Sequence, residues 1–357
     1  MKNSVAVDAL TIVLLGTIAT ACTRDKPDDL TQKLQSVAAE LAADAAARNR
    51  ATVAGRDGWL FFAPELRHIS VGRFWGDRAE EVTRARRADA ADPLPAILDF
   101  KLQLDAIGVE LLLVPVPAKS IIYADRLPRD IEIPASLPRL DASTEAFYEI
   151  LREHDVEVLD LTKPFLDNRS DPEGPLYCLQ DTHWSGLGCV LAAQQIARVV
   201  SARPWHAGVT TADFSTEWTT AVIAGDLRES TDKSIAPSEQ LRLRRVVTEN
   251  VAGQTEVDSD PASPLVLLGD SHNLVFHAGG DMHATGAGLP DQLAFELGYP
   301  VDVVAVRGSG ATAARVNLLR RAQRDPSYWT GKRLVVWCFS AREFTEGDGW
   351  ALVPVTP

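Results

Sequence analysis

A net charge of −13 on 357 residues, with an isoelectric point near 5.0, argues against a nucleic-acid partner, because phosphates call for a basic surface. The composition, 46% hydrophobic and 24% charged, is that of a globular chain long enough to bury a large core, as one big α/β domain or two smaller ones.

Lys2 precedes an apolar stretch from Ala9 to Ala21, too short for a confident bilayer span and suited to an export signal. Small residues at 19 and 21 favour cleavage before Cys22, so residues 1–22 read as a signal peptide ending in a lipobox. Cys22 is then the lipidation candidate, and an uncleaved N-terminal anchor is the other reading. Either way the globular part lies outside the cytoplasm. Residues 23–50 read as a polar tether and an amphipathic helix, since Leu30, Leu34, Val37 and Leu41 recur at helical spacing. Such a stripe packs on the chain's own domain or, alternatively, binds a partner.

Residues 51–357 form the main domain. Gly55 to Phe62 reads as a turn entering a short aromatic strand, and Ile97 to Ile107 as a helix closed by Gly108. A buried strand from Val109 to Pro117, a helix from Glu145 to His154 and a strand from Val156 to Leu161 follow. Strand, helix, strand with short links is the signature of a parallel sheet. Leu191 to Val200 is helical again. The segment from about 203 to 262 has shorter, mixed elements, including the alternating Gln240 to Val247, and reads as a small β-rich insertion. Buried strands resume at Pro264 to Leu268, Val301 to Val306 and Arg333 to Phe339, separated by helices at Gln292 to Leu297 and Ala313 to Gln323.

The chemistry-bearing residues cluster in two places. The apolar run Pro264 to Leu268 stops at Gly269, and Asp270-Ser271-His272 stand at its C-terminal end, the edge at which open α/β sheets bind ligands. Ser271 needs a base to act as a nucleophile. Upstream, Asp181 and His183 are two residues apart, so an extended loop projects both to one side, and the carboxylate can fix the imidazole tautomer. The alternative readings are a helix cap for Asp270-Ser271 and an ordinary surface loop for Asp181-Thr182-His183. Cys178 and Cys189 bracket that loop, and in an oxidising compartment a bridge between them would stiffen it. Cys338 reads as a buried small hydrophobe. No metal is expected: no Cys-x-x-Cys pair exists, and His272, His277 and His283 with Asp281 match no standard ligand spacing.

Asp-Thr-His-Trp-Ser at 181–185 followed by a helix, then a buried strand ending in Gly-Asp-Ser at 269–271, resembles the alginate O-acetyltransferase family of SGNH-like proteins. Gly55 to Phe62 with Glu65-Leu66, Val114 to Lys119 with Tyr123, and Tyr177 match the same family in the same order. The Asp/His motif precedes the serine, the reverse of ordinary SGNH hydrolases. His272 stands where a hydrophobic or aromatic residue is expected, and the end at Pro357 leaves no room for the carbohydrate-binding module of some members.

The resemblance implies an SGNH-like doubly wound parallel sheet, with Ser271 as nucleophile, His183 as base and Asp181 orienting the base. It implies a periplasmic, membrane-tethered enzyme of alginate-type exopolysaccharide biosynthesis, with a polysaccharide acceptor and no cofactor. The acetyl donor would be supplied by a membrane-bound acyltransferase partner. The candidate oxyanion donors are the Ser271 N–H and Gly308, at the end of another strand, Gly308 alternatively belonging to an ordinary strand-ending turn. Lys119, Tyr177 and Arg342 are candidates for touching substrate, Arg342 alternatively a structural salt bridge. A carbohydrate acetylesterase and a non-catalytic polysaccharide-binding or assembly protein are the competing functions.

Overall fold

The computed structural model describes residues 29–129, 131, 134, 137–228, 236–250 and 253–356. The export segment, Cys22 and the start of the tether therefore lie outside the described residues. Strands β1 (Thr52–Ala54) and β2 (Leu60–Phe62) make a short antiparallel hairpin. Next come β3 (Glu110–Val116) and β4 (Glu157–Val158), then β5 (Phe214–Ile223), β6 (Glu239–Asn250) and β7 (Gly253–Thr255). The last three are β8 (Leu265–Gly269), β9 (Asp302–Ala305) and β10 (Leu334–Ser340).

Five of these pair in parallel in the order β4-β3-β10-β8-β9. The continuous apolar runs of β3, β8 and β10 follow from burial on both faces. Val336 and Cys338 of β10 join Leu112, Val114, Leu265 and Leu267 in one core, against the helices Gly186–Ser201 and Leu289–Leu297. Val335, Trp337 and Phe339 join Leu111, Leu113, Val266 and Leu268 in the other, against Pro93–Ala106, Ala142–Glu153 and Thr312–Arg324. Helices on both faces of a parallel sheet make the expected doubly wound α/β fold.

β4 is shorter than its apolar run suggests. Asp160 accepts the Thr162 N–H at 2.9 Å and turns the chain into the helix Thr162–Asn168, leaving two residues paired at the sheet edge. Strands β5, β6 and β7 form a separate antiparallel sheet between the helix Gly186–Ser201 and β8. Its alternation is real: Leu241 and Leu243 are buried while Arg242 is exposed.

The helix Asp29–Ala47 turns Leu34, Ala38, Leu41 and Ala45 into the first core, so its apolar stripe packs on the chain's own domain. No helix among the described residues is long and apolar enough to cross a membrane. The Cys178–Cys189 bridge is a correction: both thiols, like Cys338, are free and buried. The loop is stiffened instead by an isolated antiparallel bridge between Tyr177 and Trp184, and the Cys178 N–H donates to His183 O at 3.2 Å.

If the N-terminal helix is part of the folded domain, Leu34→Ala lowers stability by about 2–5 kcal/mol. Equilibrium urea unfolding checks this, and a change below about 0.5 kcal/mol, as at an exposed site, would show that the helix is not docked.

Candidate active site

β8 ends against β10 so closely that only glycine fits. A Cβ on Gly269, whose φ is +156°, would lie 1.6 Å from Cys338 O. The chain then places Asp270, fully buried, beneath a single 3-10 turn from Ser271 to Asn273. One Asp270 oxygen accepts from the His272 N–H at 2.9 Å and its imidazole Nδ1 at 3.1 Å, and the other from the Ser340 N–H of β10 at 2.7 Å. Burial alone would raise this carboxyl; the charge and hydrogen bond of His272, with Arg342 and the Ser340 N–H, outweigh it and bring it to about 2. Asn273 Nδ2 donates to Cys338 O at 2.8 Å. The helix-cap reading of Asp270 is thus correct, and the cap is what fixes the Ser271 backbone.

The upstream loop brings its histidine to this turn. His183 Nε2 lies 2.7 Å from Ser271 Oγ, and His183 Nδ1 lies 2.6 Å from Asp181 Oδ1. Ser271, His183 and Asp181 are all buried, at 7%, 4% and 0% exposure. The other Asp181 oxygen accepts from the Asp226 N–H at 2.9 Å and from His283 Nε2 at 2.8 Å. Burial would raise the Asp181 carboxyl, but the hydrogen bonds from His183 and His283 hold it well below the ordinary carboxylate range. Burial likewise pulls His183 down, and the hydrogen bond and charge of Asp181 more than reverse this, leaving the imidazole above its ordinary value. Hydroxyl, imidazole and carboxylate thus form one hydrogen-bonded chain, the arrangement of an activated nucleophile.

The β-rich insertion braces the loop. Gly225 runs so near Gln180 that a Cβ there would meet Gln180 O at 2.0 Å, and this approach delivers the Asp226 N–H to Asp181. The Asp226 carboxylate accepts from Thr182 N at 2.8 Å and Thr182 Oγ1 at 2.7 Å. Glu239, at the start of β6, accepts the N–H groups of Leu179 and Gln180 at 2.7 and 2.9 Å. Asp181, His183 and Asp226 offer ligand atoms within 4.8 Å of one another, and here those atoms are committed to the hydrogen bonds just described.

Lys119 and Tyr177 do not meet the surface, contrary to their reading as substrate contacts. The Lys119 ammonium, 1% exposed, donates to the carbonyls of Leu60, Leu179 and Asp181 at 2.6, 3.0 and 3.1 Å. Its three N–H donors match three carbonyls, so it clamps the loop from within, and burial pulls it down to about 8. The Tyr177 hydroxyl, also buried, donates to Pro117 O. Arg342 is half-buried over the Phe62 ring and donates to Ser340 Oγ at 2.9 Å; among the described residues it makes no ion pair, so the salt-bridge reading fails. Gly308 is exposed in the loop after β9, whereas Gly310 of that loop packs against Asp270, where a Cβ would lie 2.9 Å from Asp270 N.

The histidine-rich stretch holds no shared centre, because each imidazole has its own carboxylate: His272 with Asp270, His277 with Asp291 and His283 with Asp181. Asp281 pairs with Arg307 at 2.6 Å. His272 fills the place expected for an apolar residue by packing its ring edge-on to Trp184, 5.3 Å between centroids, and 4.9 Å from the His183 ring. Burial lowers His272, and the charge and hydrogen bond of Asp270 oppose this without cancelling it. Sequence reasoning does not reach Asp226, Glu239 or the role of His283. For Asp226 the preceding glycine is a faint signal; for Glu239 and His283 none exists.

Residues 52–341 match the family described as SGNH hydrolase-like domain, acetyltransferase AlgX. The chain belongs to that family. Among curated relatives, "Probable alginate O-acetylase AlgJ" of Pseudomonas putida is 28% identical over 230 residues, which are 62% of this chain and 54% of the relative. The protein of the same name from Pseudomonas aeruginosa is 28% identical over 144 residues, 40% of this chain and 32% of that one. The chain therefore spans about half the length of the first of these relatives, and less of the second. Among solved structures, the O-acetyltransferase domain of Pseudomonas putida AlgJ superposes with a TM-score of 0.59 at 24% identity, covering 82% of this chain and 92% of that one. Pseudomonas aeruginosa AlgX gives 0.54 at 14% identity, covering 81% and 62%. Both likenesses support the SGNH-like fold.

Lys119→Met fills the same space without donors and strips the ammonium from three carbonyls, of which Leu179 O keeps the Leu60 N–H. A stability loss on the order of 3 kcal/mol or more is expected, measured by chemical denaturation. A loss below about 0.5 kcal/mol would mean that the ammonium does not clamp the loop.

Proposed function

We propose that this chain is an O-acetyltransferase that moves acetyl groups onto hydroxyls of an exopolysaccharide through an acetyl ester on Ser271. The observation that carries the reading is the continuous hydrogen-bonded chain from Ser271 Oγ through His183 to Asp181, inside a family of SGNH hydrolase-like acetyltransferases. His183 Nε2 accepts the Ser271 proton as Oγ attacks the acetyl carbonyl. The tetrahedral intermediate collapses, and the imidazolium returns its proton to the leaving group of the donor. A sugar hydroxyl then gives its proton to His183 and attacks the acetyl-enzyme, and the imidazolium reprotonates Ser271 as the acetylated sugar leaves. Asp181 stabilises the imidazolium in each half-reaction.

Backbone donors for the oxyanion are the Ser271 N–H and the loop that runs from Arg307 to Gly310, with Gly308 as its candidate donor. Arg342, without a carboxylate partner among the described residues, is the candidate contact to substrate. Acetyl-CoA is not expected outside the cytoplasm, so the donor would be handed over by a membrane-bound acyltransferase. The names of the AlgJ relatives support a polysaccharide acceptor of the alginate type. The apolar stretch before Cys22 supports export to the periplasm with a tether at the N-terminus.

Incubation with an activated acetyl ester is expected to add one acetyl group that maps to Ser271, and Ser271→Ala to abolish the adduct and lower turnover by about 10⁴-fold or more. Intact-protein mass spectrometry decides this, and an adduct that persists in Ser271→Ala would sink the assignment. Discharge onto added oligosaccharide, rather than onto water alone, separates transferase from esterase.

The same reading fixes a pH dependence. His183 must be neutral to act as base, so kcat/KM for ester cleavage falls as pH drops through its raised value. In Asp181→Asn the raising interaction is gone: the acid limb of the profile moves to lower pH and the plateau drops by about 10⁴-fold. A limb unmoved by the substitution would mean that another group controls it.

A further inference from the structure

His283 is a histidine at the site that the mechanism above does not use. It stands in a loop folded tightly on itself: Phe276 N–H donates to Met282 O at 2.8 Å, Gly279 N–H to Ala284 O at 2.9 Å, and Ala278 bridges to Thr285. His283 has φ +73° and ψ −50°, and the Ala284 N–H donates across it to Met282 O at 2.9 Å. That is a γ-turn of positive φ, a rare and strained conformation for a residue with a side chain. Strain of this kind persists where the surroundings fix the residue for another reason, and it concentrates at functional sites. Here the turn aims the imidazole inward. Its side chain is 12% exposed, its ring lies 6.0 Å from that of Phe276, and Nε2 is 2.8 Å from Asp181 Oδ2.

We propose that His283 is a positioning residue for acyl transfer, which grips the Asp181 oxygen not bound to His183 and so fixes how that carboxylate meets the imidazole. The inference rests on the Ser271–His183–Asp181 reading. The neighbours leave His283 a distinct part. His183 and its own N–H occupy Oδ1, and the Asp226 N–H shares Oδ2. Lys119 holds the Asp181 backbone carbonyl, and Glu239 accepts from the loop backbone. His183 also faces the Asp226 carboxylate, the His272 ring and, at longer range, Arg342. Among the described residues, His283 alone offers a movable side-chain donor to the second Asp181 oxygen. Its N–H draws negative charge toward Oδ2 and away from the bond to His183. Without it Asp181 pulls harder on the imidazolium proton, and the carboxylate is freer to rotate.

His283→Asn tests this, because asparagine tolerates positive φ while its amide falls short of Asp181; His283→Gln restores an N–H near the original reach. In the full chain, the His183 imidazole is titrated by ¹⁵N NMR, and the pH profile of acetyl-ester cleavage is recorded alongside. In His283→Asn the His183 midpoint and the acid limb are expected to move to higher pH, opposite to Asp181→Asn, with kcat reduced about tenfold and KM unchanged. His283→Gln is expected to return both toward the parent. A limb and midpoint that stay put in a folded His283→Asn, or that move to lower pH, overturn the proposal, as does a midpoint that His283→Gln fails to restore. The NMR midpoint is read without turnover, so a chain that never acetylates Ser271 would sink the functional reading while still reporting on His283.

Discussion

Among the described residues, the buried Asp181 carboxylate has no lysine or arginine against its oxygens, and four N–H donors from three parts of the chain hold it: the His183 backbone and ring, the Asp226 backbone, and His283. A buried anion without such donors would take up a proton and cease to orient an imidazole. The position of His183, and through it the polarisation of Ser271, depends on this one set of hydrogen bonds. So does much of the surrounding architecture. The β-rich insertion delivers Asp226 and Glu239, the hairpin of β1 and β2 contributes the Leu60 carbonyl beneath Lys119, and the strained turn supplies His283.

The parallel sheet performs a separate task for the serine. Because β8 lies directly against β10, the Asp270 carboxylate reaches across to the Ser340 N–H, and the Asn273 amide reaches the Cys338 carbonyl. The Ser271 turn is thereby tied to the central strand, whose every residue is buried. A rigid strand end carries Ser271, and a braced loop carries His183. The two meet at 2.7 Å although 88 residues separate them in the chain. His272 between Trp184 and His183 fits the same logic, since its burial disfavours a second cation beside the His183 ring.

Much of this is legible in the amino-acid sequence. Apolar runs at Pro264 and Arg333 specify central strands, because burial on both faces leaves no polar alternation, whereas the run at Val301 becomes the edge strand β9. The pairing of Asp181 with His183 is legible because a two-residue spacing places both side chains together in an extended segment. Lys119 and Tyr177 mislead because residue type alone does not say which way a side chain points. A lysine in a solvent-facing loop binds ligands; the same lysine beneath three carbonyls is a clamp. The cysteines mislead for a similar reason, since nearness in sequence does not fix the separation and direction of two Cβ atoms.

The α/β class, the buried strands, the place of Ser271 at a strand end and the Asp181-Thr182-His183 motif are all written in patterns spanning a few neighbouring residues. Only the tertiary structure decided which donors surround Asp181, that His283 rather than a lone backbone group shares its second oxygen, and that Lys119 points inward. Those outcomes depend on hydrogen bonds between segments dozens of residues apart, and the partner of a buried polar group is chosen by geometry in space, which no local pattern encodes.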